Sequence, residues 1–145
     1  MIRKAIVSDV QGIQILFQEL TGSLISANDV LNRIQFVQQS TLDSLFVYED
    51  QKIIAGLLAF RIRENIEENS RFGEISVLVV RPEFRKKGIG KELMEYAEHL
   101  AREQNCIGTW LVSGFGREEK AHTFYKSLGY QTTGYRFVKH FEKES

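Results

Sequence analysis

Hydrophobic and polar positions repeat with two different periods along the chain, and the changes of period predict its elements. Ile2 to Val7 is predicted to be a first strand. Two segments with helical spacing follow, one started by a capping box of Ser8 and Gln11 and one capped by Ser26. Thr21-Gly22-Ser23 separates them. The apolar stripes that predict the two helices are Val10, Ile13, Leu16, Phe17 and Leu20, then Ala27, Val30, Leu31, Ile34 and Val37.

The middle of the chain has β-rich runs that predict the main sheet. Leu45 to Tyr48 and Ile53 to Ile62 are separated by the short polar stretch Glu49-Asp50-Gln51-Lys52, which predicts an antiparallel hairpin. Gly73 to Val80 is the predicted fourth strand. It must end before Pro82, because proline cannot donate a hydrogen bond to a strand ladder.

Helical spacing returns after the fourth strand and then alternates once more with strand patterns. A helix is predicted over Ile89 to Asn105, a buried strand over Thr109 to Val112, and a helix over Arg117 to Leu128 that Gly129 ends. Tyr130 to Phe141 alternates like a final strand. The predicted order is βααβββαβαβ, an α/β fold of the α+β type with a mixed, mostly antiparallel central sheet flanked by about four helices.

Composition and charge limit the classes of function. The chain has 145 residues, of which 43% are hydrophobic, and no internal repeat, so one domain is predicted over residues 1–145. Nineteen basic and nineteen acidic side chains cancel, which argues against a nucleic-acid or membrane partner. Cys106 is the only cysteine, and neither a signal-peptide pattern nor a long apolar run is present, so the cytoplasm is the predicted location. A homodimer is left open.

The loop between the fourth strand and the following helix has the properties of an anion site. A helix N-terminus presents N–H groups and about half a positive charge to a phosphate. Gly88 and Gly90 allow a close approach, although a solvated basic turn is the alternative. Neither the nucleotide P-loop nor the three-glycine dinucleotide fingerprint occurs. The predicted pyrophosphate-binding residues are Arg85, Lys86, Lys87, Gly88, Ile89, Gly90 and Lys91.

Two motifs resemble those of the GNAT superfamily of N-acetyltransferases. They are Leu78-Val79-Val80-Arg81-Pro82-Glu83-Phe84-Arg85-Lys86-Lys87-Gly88-Ile89-Gly90 and Ala121-His122-Thr123-Phe124-Tyr125-Lys126-Ser127-Leu128-Gly129-Tyr130. Small members that look similar include aminoalkylphosphonate N-acetyltransferases. The resemblance implies acetyl-CoA as cosubstrate. His99 and His140 do not form a metal-binding spacing with Cys106, so no metal is predicted. The resemblance also implies that the pantetheine arm pairs with the fourth strand, and the cofactor-binding residues beyond the loop are then Leu78, Val79, Val80 and Phe124.

The resemblance also suggests two catalytic residues. Tyr125 matches the family tyrosine that faces the CoA sulfur and protonates the departing thiolate, with a packing role as the alternative. Glu74 lies where some members carry a general base, and regular alternation would place it on one strand face with Ser76, Leu78 and Val80. An ordinary carboxylate is too weak a base for an ammonium, so Glu74 needs burial or a water relay. Its alternative role is an ion pair with a neighbouring arginine or lysine.

The predicted function is direct transfer of an acetyl group from acetyl-CoA to a primary amine of a small molecule or peptide. A catalytically idle CoA-binding regulatory module of the same fold is the alternative. His122 is predicted to be a surface or capping group and Cys106 a structural thiol. Glu64, Glu67 and Glu68 either bind a cationic acceptor or form a solvated face.

Overall fold

A computed structural model describes residues 1–113 and 118–142 of the chain. The chain divides into two compact units, Met1–Leu111 and Val112–Ser145. The prediction of a single domain over residues 1–145 stays a prediction.

The first unit contains a five-stranded sheet and three of the helices. Short 3-10 turns lie at Val7–Asp9 and Pro82–Phe84. The helices are α1 (Val10–Thr21), α2 (Ala27–Gln39) and α3 (Ile89–Glu103), and the strands are β1 (Ile2–Lys4), β2 (Asp43–Asp50), β3 (Ile53–Glu64), β4 (Arg71–Val80) and β5 (Gly108–Leu111).

The five strands lie in the sheet in chain order. The first four strands pair antiparallel, and β5 pairs parallel to β4. A parallel neighbour needs a crossover, and α3 provides it between β4 and β5. The predicted α/β fold with a mixed, mostly antiparallel sheet is confirmed.

The helices cover opposite faces of the sheet. On one face, fully buried residues of α1 and α2, among them Ile13 and Ile34, pack in one cluster with Leu57 of β3 and Val79 of β4. On the other face, a Cβ added at Gly56 of β3 would lie 3.0 Å from the side chain of Leu93 on α3. The sheet is therefore the middle layer between α1 and α2 on one side and α3 on the other.

Local signals set some of the element ends. The Ser26 side chain accepts a hydrogen bond from the Asp29 N–H, which confirms the predicted cap of α2. Gln51 and Lys52 form the predicted β2–β3 turn, with φ of 49° and 68°. The predicted capping box of Ser8 is wrong, because α1 begins at Val10 after a 3-10 turn.

An ion-pair network connects the first residues to β2. The Asp9 carboxylate, 5% exposed, accepts two hydrogen bonds of 2.8 Å from Arg3 and one of 2.8 Å from the Ile6 N–H. Arg3 also donates to Glu49 on β2 at 2.6 Å. Burial raises the pKa of Asp9, but the hydrogen bonds from Arg3 and Ile6 outweigh it and hold the pKa below its ordinary value. The ionised carboxylate therefore stabilises the fold.

Asp9→Asn is expected to lower the free energy of unfolding at pH 7 by about 2 kcal/mol, because Arg3 loses a charged partner. Since the folded-state pKa is depressed, this contribution is present above the unfolded-state pKa and is lost as pH falls through the folded-state pKa. Urea unfolding between pH 7 and pH 2.5 measures it. The difference between the wild type and the variant should shrink in acid, and the exposed Glu67→Gln serves as control. A constant difference over this range would contradict the assignment.

The second unit contains one described helix, α4 (Glu118–Ser127), which ends near the predicted residue. Gly129 follows it with φ of 94°, as expected for a glycine beyond a helix end. The predicted final strand, Tyr130 to Phe141, is wrong: residues 131–142 are exposed and have no helix or strand. An alternating sequence forms a strand only where it can pair with the edge of a sheet. These described residues form no ladder with the sheet.

Within residues 1–113 and 118–142, no helix is long and apolar enough to cross a bilayer. The cytoplasmic location stays a prediction.

Candidate functional site

The C-terminal half of β4, from Ser76 to Val80, has a free edge. The ladder between β4 and β5 ends at Ile75, whereas β4 stays paired with β3 as far as Val80. In the described part of the first unit, Ser76 to Val80 therefore have no strand on the β5 side. An extended ligand with amide groups can hydrogen-bond to such an edge.

Backbone orientation identifies which residues direct their N–H and C=O groups to this edge. The Arg81 N–H donates to the Ala55 oxygen of β3 at 2.8 Å. Because successive residues of a strand direct their N–H and C=O groups to opposite sides, Leu78 and Val80 direct theirs to the free edge. Both residues were predicted to contact a pantetheine arm, and their orientation is suitable for it. Val79 pairs with Leu57 and is buried in the core, so its predicted cofactor contact has no support in this geometry.

The N-terminus of α3 follows this edge after the loop of residues 81–88, and it is open. Gly88 is the residue before the helix, with φ of 82°, and it provides no side-chain cap. A Cβ added at Gly88 would meet no atom within 4 Å. The first intrahelical hydrogen bond joins the Glu92 N–H to the Gly88 oxygen, so Ile89, Gly90 and Lys91 are the positions whose N–H groups a helix leaves for a ligand. This arrangement fits a pyrophosphate.

Four basic side chains surround this N-terminus, and each is exposed. Arg85 is the most firmly held, since its Nη2 lies 2.6 Å from Glu19 Oε1 on α1 and its Nε donates to the Val80 oxygen at 3.3 Å. The Lys87 ammonium lies 5.1 Å from the centre of the Phe84 ring. The predicted loop residues are thus brought together at one point, although their contact with a cofactor stays a prediction.

A β-bulge at Ser76 changes the predicted direction of Glu74. Val77 pairs with Ala59 and Ile75 with Phe60, so Ser76 is an extra residue on β4. Residues before the bulge consequently exchange faces relative to a regular strand. Glu74 pairs with Arg61 and lies on the α1 and α2 face, whereas Leu78 pairs with Leu58 on the α3 face. The prediction that Glu74 shares a face with Leu78 and Val80 is wrong for this reason.

Glu74 is part of an ion-pair network on this face. It is 8% exposed, and its carboxylate lies 3.2 Å from Arg63 Nε and 3.6 Å from Arg61 Nη1. Arg61 also donates to Asp43 on β2 at 2.6 Å. This is the pairing that the alternative interpretation of Glu74 expected, and the general-base role stays a prediction. On its other side, Glu74 pairs with Trp110 of the parallel neighbouring strand β5.

Glu74→Gln is expected to lower the free energy of unfolding by about 1 to 2 kcal/mol, because two guanidinium groups lose their shared charge and both are partly screened by solvent. Urea unfolding measures the effect. Glu64→Gln is the matched control, since Glu64 pairs with Arg71 at a more exposed position of the same sheet. Unchanged stability combined with a large loss of turnover would instead assign the carboxylate to proton transfer.

The predicted catalytic tyrosine lies in the second unit, on α4. Tyr125 is half-buried, and its ring centre lies 5.2 Å from that of Phe124 and 6.2 Å from that of Tyr130, both in edge-to-face arrangements. The Tyr130 N–H donates to the Tyr125 oxygen at 3.1 Å. The catalytic role of Tyr125 and the cofactor contact of Phe124 stay predictions.

The remaining candidate residues have ordinary environments. Burial raises the pKa of the Cys106 thiol, an effect that Arg71 opposes and Glu64 reinforces, which suits a structural thiol. Glu64 forms an ion pair with Arg71, and Glu67 and Glu68 are exposed. Among the described residues, no group of three or more His, Cys, Asp or Glu side chains could hold a metal ion.

Three participants of the site were missed from the sequence: Glu19, Arg61 and Arg63. Glu19 and Arg85 are 66 positions apart, and no local pattern connects them. Arg61 and Arg63 are two positions apart on β3, a spacing that indicates one polar face at the end of the strand. The spacing does not reveal that both arginines pair with Glu74.

The fold and site define a class of α/β protein in which a free strand edge leads into an open, basic helix N-terminus. The chain matches the acetyltransferase (GNAT) family over residues 13–130, and it belongs to that family. The recognition made from the two sequence motifs is thereby confirmed.

Individual relatives agree with this assignment. An aminoalkylphosphonate N-acetyltransferase of Salmonella typhimurium is 33% identical over 86 residues, which are 59% of this chain and 55% of that protein. The chain thus spans about half the length of this relative. The structure of a GNAT family acetyltransferase from Staphylococcus aureus is 26% identical with a TM-score of 0.81, and the match covers 97% of this chain and 98% of that one.

A third similar protein was solved with CoA. It is the aminoglycoside N-acetyltransferase AAC(6')-Iy, with 16% identity and a TM-score of 0.82 over 99% of this chain and 94% of its own. At this identity the likeness shows the fold alone.

Proposed function

We propose that this protein transfers the acetyl group of acetyl-CoA directly to a primary amine of a small molecule. The observation that carries the proposal is the free edge of β4 up to Val80 together with the open N-terminus of α3, which follows the loop of residues 81–88. Leu78 and Val80 would pair with the amides of the pantetheine arm, and the α3 N-terminus with its basic loop would hold the pyrophosphate. Acetyl-CoA supplies the reactive thioester.

The acceptor amine needs help to become a nucleophile. An alkyl ammonium has a pKa of about 10, so holding it neutral at pH 7 costs roughly 4 kcal/mol. The Ser76 bulge directs Glu74 to the face that carries α1 and α2, and we infer that the amine approaches from this face. Glu74 would receive the proton through water, and Tyr125 would donate a proton to the leaving thiolate.

The name of one relative suggests the first acceptor to test. The matched Salmonella protein acts, by its name, on aminoalkylphosphonates, which makes a small amine with an anionic group a first test compound. Polyamines, aminoglycosides, amino acids and peptide amines complete the set. The cytoplasm is the compartment in which such a reaction is proposed to occur.

The test is acetyl-CoA binding by calorimetry, followed by thiol release with each amine and mass spectrometry of the product. Amine-dependent thiol release with an acetylated product supports the proposal. Binding without turnover on any amine would favour the idle CoA-binding module instead. A folded protein that does not bind acetyl-CoA would overturn both.

A further inference from the structure

The ion pair between Glu19 and Arg85 connects α1 to the phosphate loop. Arg85 is fixed at two atoms by two different elements, since Nη2 lies 2.6 Å from Glu19 Oε1 and Nε donates to the Val80 oxygen at 3.3 Å. The remaining N–H donors of the guanidinium take no part in these two contacts. We propose that Glu19 is a positioning residue that holds Arg85 ready for a phosphate group of the CoA cosubstrate. This proposal rests on the proposed function.

The physical reason is preorganisation. An arginine side chain loses conformational entropy when it is ordered, and an exposed arginine on a loop would lose it on binding. Arg85 is 47% exposed, yet the two contacts already restrict its guanidinium in the free protein. Because Arg85 is ordered before binding, less conformational entropy is lost when CoA binds.

Coulomb repulsion alone predicts the opposite change in CoA affinity when Glu19 is removed. The direction of the change therefore tests the proposal. Glu19 places a negative charge next to an anion site, so its removal should strengthen phosphate binding if Coulomb repulsion decided the outcome. If positioning decides, removal of Glu19 weakens binding, because Arg85 then has to be ordered by the ligand.

The experiment is calorimetric titration of the full chain with CoA. Glu19→Gln is expected to bind CoA about threefold to tenfold more weakly than the wild type, in the range of coupled side-chain pairs. Glu83→Gln is the matched control, because Glu83 also pairs with an arginine beside the same loop, Arg81, at 2.5 Å. The control should bind within about twofold of the wild type, because Glu83 pairs with Arg81 and not with Arg85.

A second comparison separates positioning from a general structural role. If Glu19 acts on CoA binding through Arg85, Glu19→Gln should cause no further weakening in the Arg85→Gln background. Equal weakening in both backgrounds, or tighter binding by Glu19→Gln alone, would overturn the proposal while leaving acetyl transfer intact. No binding of CoA by the folded wild type would overturn the proposed function and this proposal together.

Discussion

Gly88→Glu is expected to abolish acetyl-CoA binding, with an affinity loss of more than about 100-fold, while the protein stays folded. Two features of Gly88 give this result. The space around its missing Cβ is open, so a side chain there would enter the volume proposed for the pyrophosphate rather than clash with the protein. The carboxylate would also repel the phosphates. Calorimetric titration with acetyl-CoA measures the loss.

Gly22→Glu is the matched control for the backbone. Gly22 ends α1 with φ of 77° and likewise has no atom within 4 Å of an added Cβ. Both substitutions therefore carry a similar left-handed strain of about 1 to 2 kcal/mol, measured as a fall in unfolding free energy. Only Gly88→Glu should lose the ligand. Wild-type affinity in a folded Gly88→Glu protein would refute the phosphate site.

Tyr125→Phe is expected to lower kcat by about 100-fold, a typical contribution of one proton donor, and to change acetyl-CoA affinity by less than about twofold. The substitution keeps the ring that packs against Phe124 and Tyr130, so the fold should persist. Thiol release with the best acceptor from the amine set gives kcat, and calorimetry gives the affinity.

Tyr135→Phe is the control for this variant. Tyr135 is 87% exposed and carries the same hydroxyl in the same unit, so its loss should leave kcat unchanged. If Tyr125→Phe is soluble and turns over at the wild-type rate, Tyr125 has a packing role and the thiolate is protonated by another group.

The elements with local chemical signals were predictable from the sequence. Ser26 caps α2, and Pro82 follows the end of β4, at the predicted positions. The hydrogen bonds and steric limits that cause these ends involve residues only a few positions apart, so one segment is enough to predict them. For the same reason, Gly88 was placed correctly at the start of α3.

The features that depend on a distant partner were not predictable. The bulge at Ser76 is invisible in β4 alone, because it is defined by the pairing of Val77 and Ile75 with neighbours on β3. The alternation of Tyr130 to Phe141 is a real pattern, but a pattern does not provide a sheet edge. Glu74 shows the same limit. Its residue type suggested a general base, but the direction of its side chain was set by the bulge at Ser76.

The extra residue at Ser76 also determines how β4 tolerates changes of length. It separates the strand into two segments of opposite parity, so that one strand sends an acidic side chain to one helical layer and apolar side chains to the other. Removing this residue would place Val77 next to Ile75 in the pairs that they already form with Ala59 and Phe60, so Glu74 would keep its partner Arg61 and its face. A deletion of one residue at the bulge would therefore preserve both assignments, whereas a change of one residue that left the bulge in place would turn one of the two segments over.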